Sequence, residues 1–273
     1  MNRSCKISRD ASSASPPDAL KSKREKPRLD VLLVERGLFE SRELAQRAIL
    51  AGEVRNGDGH VLDKAGSRVE PEIVIEVTAK PRYVGRGGLK LEAALLQFKI
   101  DPTARTCLDL GASTGGFTDC LLQHGAARVY AYDVGHSQLD WRIRSDPRVV
   151  VAEGINARHL QRADFPEPIS LCVIDVSFIS LTKILPAAFG ILDDSPVAEI
   201  AALIKPQFES RREDVGKGGI VKDPEVHRRA VDSVREFVAG HAPAWRWAAE
   251  MDSPILGTEG NKEFLCHLVR AEL

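Results

Sequence analysis

The stretch that most constrains this chain is residues 107–117, CLDLGASTGGF. An apolar run ends in Asp109 and opens into Gly111, Gly115 and Gly116. That order reads as a buried strand feeding a tight turn, where glycine lets the backbone pass close to a ligand. It is the pattern of a nucleotide-like cofactor site. What surrounds it alternates in the same manner. Strands are predicted at 106–110, 129–133, 149–152, 171–176 and 200–205. Helices are predicted at 89–98, 117–123 and 226–239, with Leu91, Ala94, Leu95 and Phe98 on one face of the first. Residues 245–253 and 264–270 read as a closing antiparallel pair. Seven strands alternating with helices predict a mainly parallel α/β sheet.

The 273 residues allow one large domain or two smaller ones. Hydrophobic residues make up 43% and charged ones 28%, a soluble globular balance. No apolar run approaches the roughly 20 residues that cross a bilayer, and the polar, Ser-rich start has no signal-peptide core. Five cysteines are scattered without a C-x-x-C pair, so reduced thiols and a cytoplasmic location are expected. The net charge of -1 hides a basic start. Lys21, Lys23, Arg24, Lys26 and Arg28 face only Glu25, which suits either a solvated tail or contact with a polyanion. Residues 1–26 are expected to be a disordered basic tail.

Residues 27–78 make a small module of their own. Leu29, Leu32, Leu33 and Val34 mark a helix stopped at Gly37. Ser41 is an N-cap for a second helix carrying Leu44, Ala45, Ala48 and Ile49, stopped at Gly52. NGDG within 54–61 signals a hairpin, and Ile73, Ile75 and Val77 form a closing strand. The order R-L-D…R-G-L…S-R…A…I-x-x-G-x-V-x-N-G resembles the S4-like RNA-binding domain. That resemblance implies RNA contact through Arg28, Ser41, Arg42, Gln46, Arg47, Val54 and Asn56. A lone arginine on such a helix is equally a solvated charge. Residues 79–88 are the expected linker, and Arg86 within it joins the RNA-contact set.

Asp133 lies about twenty residues beyond the glycine turn, where an acid accepts from ribose hydroxyls. NAD enzymes share that geometry. The glycine spacing, G-x-x-x-G-G after D-L-G, instead resembles S-adenosylmethionine (SAM) methyltransferases. The expected cofactor set is Asp109, Gly111, Ser113, Gly115, Gly116, Phe117, Asp133, Asn156 and Asp175. Asn156 fits a cofactor contact and a helix N-cap equally. Asp175 and Lys205 end strands, so both should face the site at the sheet's carboxyl edge. A lysine backed by an apolar run is a candidate base. Burial lowers its pKa, and a nearby Asp orients it and pushes the other way.

Lys90, Asp175, Lys205 and Glu263 together resemble the Lys-Asp-Lys-Glu tetrad of the FtsJ-like ribose 2'-O-methyltransferases. With RYVGRGGLKL, DVGHSQLDW, VIDVSFISL, LIKPQFE, GKGGIV and GNKEFL in order, residues 27–271 resemble the TlyA family, rRNA cytidine 2'-O-methyltransferases also known as haemolysins. The resemblance implies a Rossmann-like class I SAM-dependent methyltransferase domain over 89–273, preceded by an α+β S4-like RNA-binding domain. It further implies SAM as cofactor, ribosomal RNA or ribosomal subunits as partner, and no metal. Lys205 would be the base, oriented by Asp175, with Lys90 and Glu263 positioning the nucleotide. Residues 210–223 read as a loop closing over RNA or as a solvated connection. The competing readings are a membrane-active haemolysin and a non-catalytic RNA-binding assembly factor.

Overall fold

A computed structural model describes residues 26–50, 52–77, 82–257 and 259–271. The basic start through Glu25 and the first part of the linker, 78–81, lie outside the described residues. The chain divides into two compact units, Met1–Lys80 and Pro81–Leu273.

The N-terminal unit carries α1 (Leu29–Glu35), α2 (Arg42–Leu50), β1 (Val54–Asn56) and β2 (Ile75–Val77). Gly37 ends α1 at a φ of +69°, a conformation that glycine adopts without a Cβ penalty. Ser41 opens α2, its Oγ accepting from the Leu44 N–H at 3.3 Å. Leu29, Leu33, Ala45, Ala48, Ile49 and Val54 close a small core. Val54 is fully buried there, which removes it from the RNA-contact set. Leu44, expected on the apolar face, is exposed. The hairpin expected over 54–61 is cut short. Asn56 Oδ1 accepts from the N–H groups of Asp58 and His60, so the turn forms. The returning arm, however, is a single bridge, Arg55 to Val61. Val61 is exposed with no core to enter, and β1 pairs instead with β2, antiparallel, Val54 opposite Val77.

The C-terminal unit runs α3 (Gly87–Phe98), β3 (Thr106–Leu110), α4 (Gly116–Gln123), β4 (Arg128–Asp133), α5 (Trp141–Arg144), β5 (Val149–Glu153), β6 (Leu171–Ile174), α6 (Leu185–Ile191), β7 (Glu199–Ile204), α7 (Pro206–Glu209), α8 (Pro224–His241), β8 (Trp245–Asp252) and β9 (Phe264–Arg270). Among the described residues these strands form one sheet in the order β5-β4-β3-β6-β7-β9-β8. The five strands from β5 to β7 are parallel; β9 pairs antiparallel with β7, and β8 with β9. Alternation along β3 feeds both faces. Leu108 and Leu110 join Leu185, Ile191, Val231 and Val234 of α6 and α8. Cys107 joins Leu91, Leu95, Leu121 and Ile143 of α3, α4 and α5. The result is a three-layer α/β unit, the Rossmann-like architecture expected of the sequence.

Several helices depart from expectation: α5, α6 and α7 have no predicted counterpart, and α3 and α8 each start two residues early. α3 starts at Gly87, two residues early, because Gly88 lies directly against the Tyr83 ring, where a Cβ would collide. α6 was not anticipated, since Pro186 breaks an apolar pattern. The proline sits in the helix's first turn, where a missing N–H costs no hydrogen bond. β6 stops at Ile174 and β7 at Ile204, leaving Asp175 and Lys205 just past the carboxyl ends of neighbouring strands. Strand order reverses between β3 and β6, so a crevice opens at that edge.

Candidate active site

The glycine turn is set by the protein's own chain. Gly111 has a φ of +89°, and a Cβ on it would lie 2.5 Å from the Asp175 carbonyl oxygen. Gly115 has a φ of +95°, with Leu139 Cδ1 2.9 Å from the place of its Cβ. Gly116 faces the backbone of Gly88 and Gly85 at about 3 Å. The segment 83–88 therefore lies directly on the turn, something strand-and-turn reading does not reveal.

Asp133, at the end of β4, ties the turn to the next loop. Its Oδ2 accepts from the Ser113 N–H at 2.8 Å, and its Oδ1 from the Gly135 N–H at 2.7 Å. Each oxygen keeps a further lone pair for a hydroxyl donor. Asp133, Asn156, Tyr132, Ser113 and Phe178 line a cavity of 390 Å³. Asn156 is the cap that one of its readings expects. Its Oδ1 caps the turn after β5 by accepting from the Arg158 N–H at 3.1 Å, and the residue also lines this cavity.

Asp109 is placed differently from expectation. It is 0% exposed, lies beneath the turn and lines neither this cavity nor the next. Its Oδ2 accepts from the Thr118 hydroxyl at 2.6 Å, and its Oδ1 has no partner among the described residues. Burial pushes its carboxyl up to about 7, against the opposing Thr118 hydrogen bond and with help from Asp175 and Asp133.

A second cavity, of 440 Å³, abuts the first and shares Gly111, Ser113, Asp175 and Ser177 with it. Lys90, Asp175, Lys205 and Glu263 all line it, with Gly116 and Phe117 at the glycine turn. The four charged groups form two ion pairs. Lys205 Nζ is 2.6 Å from Asp175 Oδ1 and donates to Ser177 Oγ at 2.8 Å. Lys90 Nζ donates to Glu263 Oε2 at 2.6 Å. The two lysines are only 8% and 9% exposed, so each ammonium faces the cavity with most of its water removed. Gly257 makes room for Glu263, since a Cβ there would fall 2.5 Å from Oε1. Ser177, which the sequence reading passed over, is the hydroxyl that completes the Lys205 environment; its only signal was its place in VIDVSF. Arg86 also lines this cavity, its guanidinium donating to the Leu256 carbonyl at 3.0 Å. It belongs with this cavity rather than with the N-terminal unit.

In the N-terminal unit Arg28, Arg42 and Gln46 converge on one carboxylate, Asp30. Arg47 is exposed. Ser41 and Asn56 spend their side chains on the α2 cap and the NGDG turn. The segment 210–223 carries short 3-10 turns at Arg212–Asp214 and Lys217–Gly219. Asn261 fastens it, accepting from the Val221 N–H and donating to the Gly219 carbonyl, both at 2.9 Å.

With this geometry in hand, comparison with known proteins is direct. Residues 83–270 match the model of the FtsJ-like methyltransferase family, and residues 27–75 match the S4 domain. The chain is 43% identical, over 88% of its length and 89% of the relative's, to the Mycobacterium tuberculosis protein named 16S/23S rRNA (cytidine-2'-O)-methyltransferase TlyA. The chain belongs to the TlyA family of FtsJ-like methyltransferases. Another TlyA-like relative, named Hemolysin A, from Brachyspira hyodysenteriae, is 44% identical over 89% of this chain and 99% of that one. A solved structure from Streptococcus thermophilus whose description also uses the word hemolysin is 44% identical, covers 91% of this chain and 90% of its own, and superposes with a TM-score of 0.68. Among the described residues, no helix of this TlyA family member is long and apolar enough to cross a membrane.

Proposed function

We propose that this chain is a SAM-dependent methyltransferase acting in the cytoplasm on the ribose 2'-hydroxyl of a cytidine in ribosomal RNA, 16S, 23S or both. The observation that carries the reading is the pair of buried lysine–carboxylate contacts lining one cavity that abuts a second, nucleoside-sized one. The first cavity fits the nucleoside part of SAM. Asp133 keeps free lone pairs for the ribose hydroxyls, Asn156 lines the same cavity, and the glycine turn leaves Gly111 and Ser113 for the amino-acid part. When bound, SAM supplies an electrophilic methyl group on a sulfonium.

In the second cavity Lys205, as the neutral amine, receives the target 2'-hydroxyl on its lone pair and takes its proton, becoming the ammonium as the oxygen bonds to the methyl. Asp175, 2.6 Å away, fixes the amine's direction and faces the ammonium once it forms, and Ser177 occupies its other N–H. Lys90 and Glu263, locked on each other, hold the target nucleotide. Much of the acceleration comes from orientation, because the reaction needs an oxygen placed in line with a group already primed to leave. A ribose must reach this recess, so the nucleotide is unstacked before reaction. The N-terminal unit, with Arg28, Arg42 and Arg47, grips folded RNA by its phosphates.

The test is Lys205→Met. SAM should still bind by calorimetry while methyl transfer to rRNA collapses; near-normal turnover sinks the assigned role. Mapping 2'-O-methyl groups on rRNA from cells with and without the chain tests the substrate. An unchanged map removes the rRNA reading. Dye release from liposomes by the purified protein would favour the membrane-active alternative instead.

A further inference from the structure

We infer that Asp30, an acid, is the positioning residue of the RNA-gripping face of the N-terminal unit. The inference rests on the RNA reading proposed above. Asp30 is 0% exposed in the first turn of α1. Its carboxylate collects two side chains from α2 and one from the residue just ahead of α1. Oδ1 accepts from Arg28 Nε at 3.0 Å. Oδ2 accepts from Arg28 Nη2 at 3.1 Å, Arg42 Nη2 at 2.9 Å and Gln46 Nε2 at 2.7 Å. Among the described residues, every side chain that hydrogen-bonds Asp30 is thus one that the S4-like pattern nominates for RNA contact. The arginine side chains stay 46% and 52% exposed.

A guanidinium has five N–H donors. Arg28 commits two of them to Asp30 and Arg42 one, which leaves three and four for an outside acceptor. The cluster keeps a net positive charge while its forks are fixed in direction. Two long side chains whose rotamers are already chosen lose less freedom on meeting phosphates. The same contacts hold the Asp30 carboxyl well below the usual carboxylate range, the Arg28 hydrogen bond first, so the acid stays charged wherever the protein is folded.

The consequence runs against simple charge counting. Removing an acid from a phosphate-binding face should tighten RNA binding; here it should loosen it. The experiment is filter binding of the full chain to in-vitro-transcribed 16S and 23S rRNA, with Asp30→Asn, Arg28→Ala/Arg42→Ala and the triple variant. Asp30→Asn is expected to weaken binding about tenfold, the scale of two side chains losing their preset rotamers. It should add nothing in the background lacking both arginines. Unchanged or tighter binding by Asp30→Asn, beside a weakened double variant, overturns the inference and leaves the RNA reading standing. An equal further loss in the triple variant shows a merely structural acid and also overturns it. A double variant that binds like the parent overturns the RNA reading of this unit, and the inference with it. Should Asp30→Asn unfold the unit, Arg42→Lys gives the second measurement. It keeps the charge and loses the fork, so several-fold weaker binding supports the platform and parental affinity overturns it.

Discussion

Two charged clusters in this chain both cover their acids and differ in how far they expose their cations. In the C-terminal unit, Lys90–Glu263 and Lys205–Asp175 are closed around a cavity, with both ammonium groups nearly dry. In the N-terminal unit the acid is buried and the cations are half out in water. Burying the cation makes its proton and direction matter, which suits a reacting group. Burying only the anion aims cations at a partner outside, which suits a grip. The fold covers both partners in one cluster and only the acid in the other, and on the proposed function that difference separates a site for handling a proton from a surface for meeting phosphates.

The largest expected break in this comparison is Lys205→Met. Loss of a positioned base costs about 10²- to 10⁴-fold in single-turnover methyl transfer, and SAM affinity should move only a few-fold. Next comes Glu263→Gln, which leaves the Lys90 ammonium buried without its counter-charge. Uncompensated buried charge typically costs about 3–5 kcal/mol, so urea unfolding should shift strongly. Removing the more exposed Arg235–Glu250 pair should cost under about 1 kcal/mol. If both variants unfold alike, burial is not what distinguishes the two kinds of pair. Arg42→Ala should lower the slope of log RNA affinity against log salt by about one, with stability within about 1 kcal/mol of the parent. A slope that does not move argues against phosphate contact.

A last prediction concerns pH. The folded Asp109 carboxyl is pushed up to about 7 by burial, from an ordinary value of 3.8. Between those values the folded chain holds a proton that the unfolded chain has lost. Stability from this group is therefore greatest at the acid end and is lost as pH rises through about 7. Asp109→Asn removes that dependence. Its urea midpoint should gain on the parent's between about pH 5 and pH 8, and an offset equal at both ends would contradict the assignment.

Legibility followed the range of the interactions involved. The strand, turn and helix around Gly111, and the acid at Asp133, are written in neighbouring residues, because periodicity and turn chemistry are local. The α2 cap at Ser41 was readable for the same reason. Lys90 and Glu263, 173 residues apart in sequence, were nominated through resemblance; nothing local says that they touch. Val54 and Asn56 matched the S4-like pattern, yet one fills the core and the other holds a turn. A pattern records which residue stands at a place and is silent on which way it faces.

By itself, the sequence determined the mainly parallel α/β unit, the cofactor turn and the small module ahead of it, because alternation, glycine and cap residues act within a few positions of themselves. Tertiary structure alone decided that Gly111 yields to the Asp175 carbonyl, that Asp109 lies beneath the turn, that Ser177 joins Lys205, and that three nominated RNA contacts share one acid. Those facts depend on chain segments brought together by burial, over the two faces of the large sheet in one unit and around the small core of the other. A buried charge takes its partner from whatever the packing places within about 3 Å, regardless of distance along the chain.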